Sequence, residues 1–503
     1  MTRRATLSGA SVCVALFLLV ALAANVVGNE LDGVRADAAT RFLDGAVLNA
    51  NNDATSPTEA PRIENFASGD AISYSVALLR GTAPGVERGT VVVENLSSSR
   101  STRVTRAPVV AGRFKVLVEL VPGENRLTLA VGEARIDFFL TRRPDDNPRF
   151  VRLIYFVDSS GDETFATPEF WTANGTENAS VSDLPSKDFR AKIGTAALLW
   201  QTATAERLND AGYGRRTFSL ELDEAGDPVV WVLRGEKTAA EYAALSETER
   251  FRAIYREVEA SKLATEFARY FVSVAFARKL GETETLETVG EIGENSGVAQ
   301  NKTTATTGDA GEERIKTFLT ISTIGATGEN ASTQTNGENA LTSESGENKE
   351  IGAVGGIAER GKPGSTWARL ALGGGSVAAL DASTLFAWPD SLVDVADAFA
   401  DARPIPEDFA ADSGFRRTRW ALTASTLGAG LHELGHAFGL DHSPEPTDFM
   451  SRGFDRFNRI FTVVEPPDAT TPNAVETVFD DDSAATWTPE SANRLIRSRW
   501  IEK

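Results

Sequence analysis

The segment HELGHAFGLDHSPEPTDFM, residues 432–450, decides how the rest of the chain is interpreted. All three histidines of the 503-residue chain lie in it, at His432, His436 and His442, and its last residue, Met450, is the only methionine besides Met1. On a helix, His432 and His436 project from one face because they are four residues apart. Two imidazoles in this arrangement can share one zinc ion at Zn–N distances of about 2.0–2.1 Å.

Two neighbouring residues strengthen the prediction of a metal site. Glu433 lies beside the first histidine, where a carboxylate can act on a metal-bound water as general base. Gly439 allows the chain to leave the helix and turn back, since glycine adopts backbone conformations that other residues avoid. His442 can then complete a three-histidine site with a fourth position open to water, which is typical of catalytic zinc. The alternative is a structural helix in which the histidines are merely packed, and the joint spacing of all three favours the metal.

Composition limits the ligands and the partners. The only cysteine is Cys13, so the remainder of the chain has neither a disulfide nor a thiolate ligand. A metal ion must therefore be held by histidine and carboxylate. The formal net charge of −20 argues against nucleic acid and anionic membrane surfaces as partners, because both require basic patches.

The first residues predict a targeting signal. Arg3 and Arg4 precede an apolar run over residues 12–24 that is followed by small residues, which indicates a secretory signal peptide over residues 1–28 and a secreted or secretory-pathway protein. The alternative is an uncleaved membrane anchor through residues 12–27. Five N-x-S/T sequons are compatible with a glycoprotein: Asn95, Asn174, Asn178, Asn301 and Asn330.

The remaining chain divides by composition. Residues 29–61 are polar and small and predict a disordered or processed lead-in. Residues 62–145 contain short alternating apolar runs separated by turn residues, which predict a small all-β sandwich domain. Residues 146–503 mix strand and helix patterns and carry an acidic, low-complexity insertion at 281–362. The predicted fold class is therefore α+β, with the β-sandwich preceding the domain that holds the histidines.

Three element predictions can be compared with the structure. A long helix from about Arg419 should carry the histidine motif, and Thr488 with Pro489 should begin a C-terminal helix. The stretch TFSLELDEAGDPVVWVL, residues 217–233, predicts a β-hairpin.

The string HExxHxxGxxH followed by a methionine resembles the metzincin metallopeptidases, and HAFGLDHS is most similar to their matrixin branch. Four stretches resemble a little-studied eukaryotic family of zinc metallopeptidases more closely: GRFKVLVELVPGENRLTL (112–129), TLFAWPDSL (384–392), TLGAGLHELGHAFGLDHS (426–443) and MSRGFDRFNRIF (450–461). The resemblance implies a twisted mixed sheet, an active-site helix and an irregular C-terminal subdomain, with Met450 in a tight turn beneath the metal.

The function implied is that of a zinc-dependent endopeptidase. One zinc ion would activate the water that hydrolyses a peptide bond, with Glu433 as general base, and the partner would be a protein or peptide substrate. In metzincins the substrate pairs antiparallel with an edge strand that precedes the active-site helix, and residues 376–380 or 384–388 are the candidates. The alternatives are a non-proteolytic protein with structural zinc and an adhesion protein built on the β-sandwich. Asp441 is either a residue that orients a ligand or a solvated turn residue.

Overall fold

The computed structural model describes residues 59–168, 171, 188–276, 370–406, 416–471 and 474–502. The predicted signal peptide, nearly all of the predicted lead-in and the predicted insertion lie outside the described residues. No helix within the described part of the chain combines the length and the apolarity needed to cross a bilayer. The described residues contain both sheets and helices, so the predicted α+β class is confirmed.

The first sheet spans residues 62–142 and has the strand order β1-β3-β6-β5-β4-β7-β8-β2. Alternation of apolar and polar residues produces it: in β7, Leu127, Leu129 and Val131 are buried while the residues between them are more exposed. Its strands are Arg62–Ile63 (β1), Ala71–Ile72 (β2), Val76–Thr82 (β3), Arg88–Asn95 (β4), Val104–Val110 (β5), Arg113–Glu119 (β6), Gly123–Val131 (β7) and Ala134–Arg142 (β8).

One predicted glycosylation site is wrong. Asn95 at the end of β4 is fully buried, and its Nδ2 donates to the carbonyl oxygen of Glu119 and to Oδ1 of Asn125, both at 2.8 Å. A side-chain amide with these internal partners cannot carry a glycan in this fold. The other four sequons lie outside the described residues.

The second sheet follows in sequence and has the order β10-β9-β12-β14-β13, with β11 also paired to β9. All its pairings are parallel except that of β13 with β14, so β13 is an antiparallel strand at one end of the sheet. Its strands are Phe150–Val157 (β9), Ser219–Leu220 (β10), Val230–Arg234 (β11), Ala268–Val274 (β12), Ala371–Gly374 (β13) and Val377–Asp381 (β14).

The hairpin predicted over residues 217–233 forms only near its turn, where the Val229 amide donates to the Glu221 carbonyl oxygen at 2.9 Å. Instead of pairing along their length, β10 and β11 both pair in parallel with β9, and a single bridge joins Leu222 to Pro228. The physical reason is that β9 has a free edge long enough for both short strands, and burial beside it gains more apolar contact than an isolated hairpin would. The residues between β10 and β11 therefore form a loop that leaves the edge of β9 and returns to it.

The helices connect the two sheets with the C-terminal region. They are Phe189–Asp210 (α1), Ala239–Ala243 (α2), Glu247–Ala260 (α3), Val395–Ala400 (α4), Arg419–Ala437 (α5), Asn458–Phe461 (α6) and Pro489–Arg497 (α7). A small third sheet consists of two antiparallel strands, Val464–Glu465 (β15) and Thr477–Val478 (β16). The helix predicted from about Arg419 and the helix predicted to begin at Thr488–Pro489 are both present.

Helix α1 lies at the centre of the molecule. Asp188 caps the start of the helix, since its side chain accepts hydrogen bonds from two backbone amides of the first turn. Nearly every residue from Phe189 to Leu208 is buried. Such burial on all sides is expected for a helix packed between other elements. It contacts β3 of the first sheet, β9 and β11 of the second, and α5. The Trp200 indole N–H fixes the last contact by donating to the carbonyl oxygen of Leu427 at 2.7 Å.

The first sheet contributes all but one residue of a separate apolar cluster, and a few of its side chains also pack into the core of the rest of the chain. Val76, Leu78 and Leu117 belong to the same apolar cluster as α1 and α5, and the Thr202 hydroxyl on α1 donates to the carbonyl oxygen of Val76 at 2.9 Å. The predicted domain boundary between residues 145 and 146 stays a prediction, because the first sheet has an apolar cluster of its own and also packs against α1.

Candidate metal centre and catalytic site

The structure brings the three predicted metal ligands together. Helix α5 carries His432 and His436, whose Nε2 atoms are 3.2 Å apart. The Nε2 atom of His442 also lies 3.2 Å from that of His436. One ligand atom from each histidine falls within 4.8 Å of the others. This is the separation expected of three nitrogen atoms around a single ion.

The turn after α5 makes this convergence possible. The helix ends at Ala437, and Gly439 adopts φ +93°, in the region that favours glycine. The Gly439 amide donates to the carbonyl oxygen of His436 and the Leu440 amide to that of Gly435, both at 3.0 Å. These bonds end the helix and reverse the chain. The predicted helix-breaking role of Gly439 therefore agrees with its geometry.

The protonation of two histidines is fixed by backbone carbonyl groups. His432 Nδ1 lies 2.6 Å from the carbonyl oxygen of Phe449, and His436 Nδ1 lies 2.8 Å from that of Leu440. A carbonyl oxygen only accepts, so each Nδ1 carries the proton and each Nε2 presents a lone pair. Burial lowers the pKa of His432 to about 3 and that of His436 to about 4, and it also lowers the pKa of His442. The imidazoles are therefore neutral at physiological pH.

This arrangement fits a bound cation. Two Nε2 lone pairs face each other at 3.2 Å with no proton between them, which is repulsive unless a positive charge lies among them. Neutral imidazole nitrogen is a preferred ligand of zinc, and a backbone carbonyl on the opposite ring nitrogen is the usual means of orienting such a ligand. The donor set, its charge state and its orientation all agree with a zinc ion.

Glu433 lies beside the histidines on α5 with an unusual carboxylate. It is buried, and neither of its oxygen atoms has a hydrogen-bond partner among the described residues. Burial, with the negative charge of Glu247 as a second cause, raises the pKa of Glu433 well above its ordinary value. A buried carboxylate without a donor is costly, and such groups concentrate at functional sites.

Met450 packs against the helix segment that carries the ligands. It is fully buried, and a Cβ atom added at Gly435 would lie 2.3 Å from its Sδ. Its carbonyl oxygen accepts from the Ser443 amide at 2.9 Å, which ties the methionine to the residue after His442. The sequence prediction of a methionine turn next to the histidines agrees with this placement.

The structure favours the turn-residue interpretation of Asp441, and it corrects the predicted substrate strand. Asp441 is exposed and forms an ion pair with Arg494, so it is a surface turn residue rather than one that orients a ligand. Residues 377–381 form β14, which is paired on both sides, and residues 382–387 form a 3₁₀ helix. Neither candidate for the substrate strand therefore has a free edge. Among the described residues, the free edge at this end of the sheet belongs to β13, which was not one of the predicted substrate strands.

Comparison with known protein families assigns the chain to one of them. A family model described as "Putative peptidase family" matches residues 60–286 and 342–502. The chain belongs to this peptidase family. The match covers both sheets and the three histidines, so the predicted relationship to a metallopeptidase family is confirmed.

Two yeast proteins are similar to this peptidase-family member. A "Putative zinc metalloproteinase" of Schizosaccharomyces pombe is 26% identical over 361 residues, which cover 70% of this chain and 45% of that protein. A protein of Saccharomyces cerevisiae with the same description is 34% identical over 100 residues, which cover 19% of this chain and 14% of that protein. The chain thus spans less than half the length of either relative. Both names agree with the zinc ion predicted from the sequence.

Among solved structures, wild-type OgpA from Akkermansia muciniphila is similar over 71% of this chain and 62% of the OgpA chain, at 11% sequence identity and a TM-score of 0.33. Catalytically inactive OgpA in complex with an O-glycopeptide matches with a TM-score of 0.29. Scores this low support neither a shared fold nor a shared substrate.

Proposed function

We propose that this protein is a zinc-dependent endopeptidase of the metzincin type, in which His432, His436 and His442 hold one ion and Glu433 is the general base. The observation that carries the proposal is the convergence of three neutral imidazoles, two of them with Nδ1 bound to a carbonyl oxygen so that Nε2 is free to bind metal. Three protein ligands leave a fourth position for water, as catalytic zinc requires.

The reaction divides between the ion and the chain. A bound zinc ion supplies the Lewis acid that makes water nucleophilic near neutral pH and polarises the scissile carbonyl. Glu433 takes the proton from the attacking water and passes it to the leaving amine. Because burial raises the pKa of Glu433, its carboxylate binds a proton more tightly than an exposed one would.

The second sheet supports the metzincin type. Metzincins have a twisted mixed sheet, and their substrate pairs with an edge strand that precedes the active-site helix. Strand β13 makes the second sheet mixed, lies at one end of it and contacts α5. The Asp381 amide donates to the Leu370 carbonyl oxygen at 2.8 Å, so by strand alternation Ala371 and Gly373 direct their amide and carbonyl groups outward. The Ala371 amide donates to Oε1 of Glu247 at 3.4 Å. This leaves the carbonyl group of Ala371 and both groups of Gly373, with which an extended substrate can pair as an additional antiparallel strand.

Glu433 provides the test of this proposal. The wild type and a Glu433→Gln variant, which keeps the shape of the side chain, are compared for cleavage of an unfolded protein and for zinc bound per chain. We expect both proteins to bind one zinc ion and the variant to cleave about 10²–10⁴ times more slowly, since a general base contributes a factor of that size. Equal cleavage by both would overturn the role of Glu433. Zinc binding without cleavage by either would indicate a structural-zinc or adhesion protein.

We also propose that the protein enters the secretory pathway. The support is the sequence of residues 1–28, in which two arginines precede an apolar run and small residues. The mass of the protein recovered from the medium of expressing cells tests it. Loss of about the first 28 residues is the expected result, and retention of the intact N-terminus in a membrane fraction would indicate an anchor instead.

A further inference from the structure

The orientation of His432 depends on a residue far from it in sequence. His436 bonds to Leu440, only four residues away in the turn that ends α5, whereas His432 Nδ1 bonds to the carbonyl oxygen of Phe449, 17 residues away. The direction in which His432 Nε2 points is therefore set by whatever holds the peptide group of Phe449 in place.

Asp448 holds the turn that contains this peptide group. The Asp448 side chain is fully buried, and its Oδ1 accepts a hydrogen bond from the Met450 amide at 2.8 Å. Its own carbonyl oxygen accepts from the amides of Ser451 and Gly453, each at 3.0 Å. These bonds fix the backbone on both sides of Phe449.

The other oxygen of the same carboxylate reaches the C-terminal helix. Asp448 Oδ2 accepts from Ser491 Oγ at 2.6 Å, from Thr488 Oγ1, and from the Thr488 amide at 3.3 Å. Thr488 is the residue before α7, and its hydroxyl makes no capping bond within that helix. The carboxylate of Asp448 therefore lies at the N-terminal end of α7, where a negative charge is stabilised.

Backbone bonds between the same segments reinforce the contact. The Phe449 amide donates to the Thr486 carbonyl oxygen at 2.8 Å, and the Thr486 amide donates to the Thr447 carbonyl oxygen at 2.9 Å. The peptide group that orients His432 is thus bonded through its neighbours to a segment about 40 residues further along the chain, immediately before α7.

We propose that Asp448 is a positioning residue for the metal ligand His432, and that the start of α7 supports the metal site without supplying a ligand. This inference rests on the proposed function only in taking the three histidines as metal ligands. Loss of the Asp448 carboxylate leaves the Met450 amide and the hydroxyl groups of Thr488 and Ser491 without this acceptor, so the Phe449 carbonyl group is held by backbone bonds alone. Loss of a group that orients a ligand typically weakens metal binding by about 10–100-fold.

Metal affinity tests the proposal without reliance on cleavage. The zinc Kd is measured by competition with a chelating dye, and the visible absorption of bound cobalt(II) reports the geometry of the site. The proteins are the wild type, Asp448→Ala and the control Glu465→Ala. Glu465 is likewise a buried carboxylate of the C-terminal region, but it pairs with Arg459 at 2.7 Å and 2.8 Å. Circular dichroism of the metal-free proteins establishes that each is folded.

We expect the zinc Kd of Asp448→Ala to rise by about 10–100-fold, with an altered cobalt spectrum, while Glu465→Ala keeps the wild-type values. A wild-type Kd and spectrum in folded Asp448→Ala would overturn the proposal. If that variant does not fold, Thr488→Val/Ser491→Ala replaces it, and wild-type values there would overturn the proposal equally. A wild type that binds zinc but cleaves no peptide refutes the peptidase proposal and leaves this one intact, since neither readout depends on cleavage.

Discussion

Gly435 makes the close approach between α5 and Met450 possible. A Cβ atom at Gly435 would lie 2.3 Å from the sulfur of Met450, so this fully buried side chain would have to shift against its packed neighbours. We expect Gly435→Ala to lower the free energy of unfolding by about 1 kcal/mol, because overpacking costs about 1–3 kcal/mol and exceeds the helix propensity gained. Urea unfolding of the metal-free protein measures the change.

Gly194 in α1 is the matched control. It is also a glycine inside a long helix, but an added Cβ would be 3.7 Å from its nearest neighbour, a carbon of Pro228. We expect Gly194→Ala to raise the free energy of unfolding by up to about 1 kcal/mol through helix propensity alone. A gain of equal size in both variants would contradict the packing that we describe around Met450.

At the residue scale, the sequence was sufficient to find the histidines but not what orients them. The spacing of His432 and His436 predicts a shared face because helical geometry is periodic, and Gly439 predicts the turn because few other residues adopt its conformation. The carbonyl groups of Phe449 and Leu440 leave no trace in the sequence, since every residue has one. Asp448 could not be singled out either, because its partners lie about 40 residues away.

Among the elements, β13 is the one that meets the substrate in our proposal. Its outward amide and carbonyl groups recur every second residue, so only alternate backbone amides of a bound peptide would pair with it. We expect a single N-methyl group on a paired amide of a peptide substrate to lower kcat/KM by about fivefold, equivalent to about 1 kcal/mol for one hydrogen bond. The same group on the next residue should have less effect.

The measurement is kcat/KM for a series of peptides that each carry one N-methyl group at successive positions beside the cleaved bond. An effect that alternates with a period of two supports pairing with β13. A uniform effect, or none, would contradict the binding of the substrate as an added strand.

Elements with a clear local pattern were predicted well, and those decided by pairing were not. Helix α5 begins at Arg419 as predicted, because Thr418 supplies its cap and the following residues are apolar. The segment 217–233 has the turn residues of a hairpin, but the free edge of β9 captured both strands. The edge position of β13 follows from the order of the whole sheet, which local sequence does not encode.

Across the whole molecule, Lys115 joins the first sheet to the C-terminal region. This lysine on β6 is buried, and its Nζ lies 2.6 Å both from Oδ1 of Asp481 and from the Arg459 carbonyl oxygen. Burial lowers the pKa of Lys115 from 10.5 to about 8. Between these two pH values the unfolded chain holds more protons than the folded one, so this group makes the protein more stable as pH rises.

Substitution of Lys115 by methionine should remove that contribution. We expect the unfolding free energy of the wild type, relative to Lys115→Met, to increase from pH 8 to pH 10.5 by at most about 3 kcal/mol. Urea unfolding of both proteins at several pH values measures the difference. A difference that is constant, or that falls with pH, would show that the lysine is not held in this buried contact.

The packing of the whole chain could be predicted only in part from the sequence. The strand-rich composition of residues 62–145 and the mixed pattern after it were evident, but the packing of the first sheet against α1 was not. Val76 and Leu117 look like ordinary strand residues, and only the fold shows that they face α1 rather than a closed β interior. Contacts between distant segments depend on shape and register, which a single sequence does not specify.

The measurement that tests the central claim most directly is the rate of cleavage of an unfolded protein as zinc is added back to zinc-depleted protein. We predict no cleavage without the ion, a rise to a plateau at one zinc ion per chain, and no cleavage at any zinc concentration when His436 is replaced by alanine. Cleavage that persists in the zinc-depleted protein, or that is equal in the His436→Ala variant, would contradict the account.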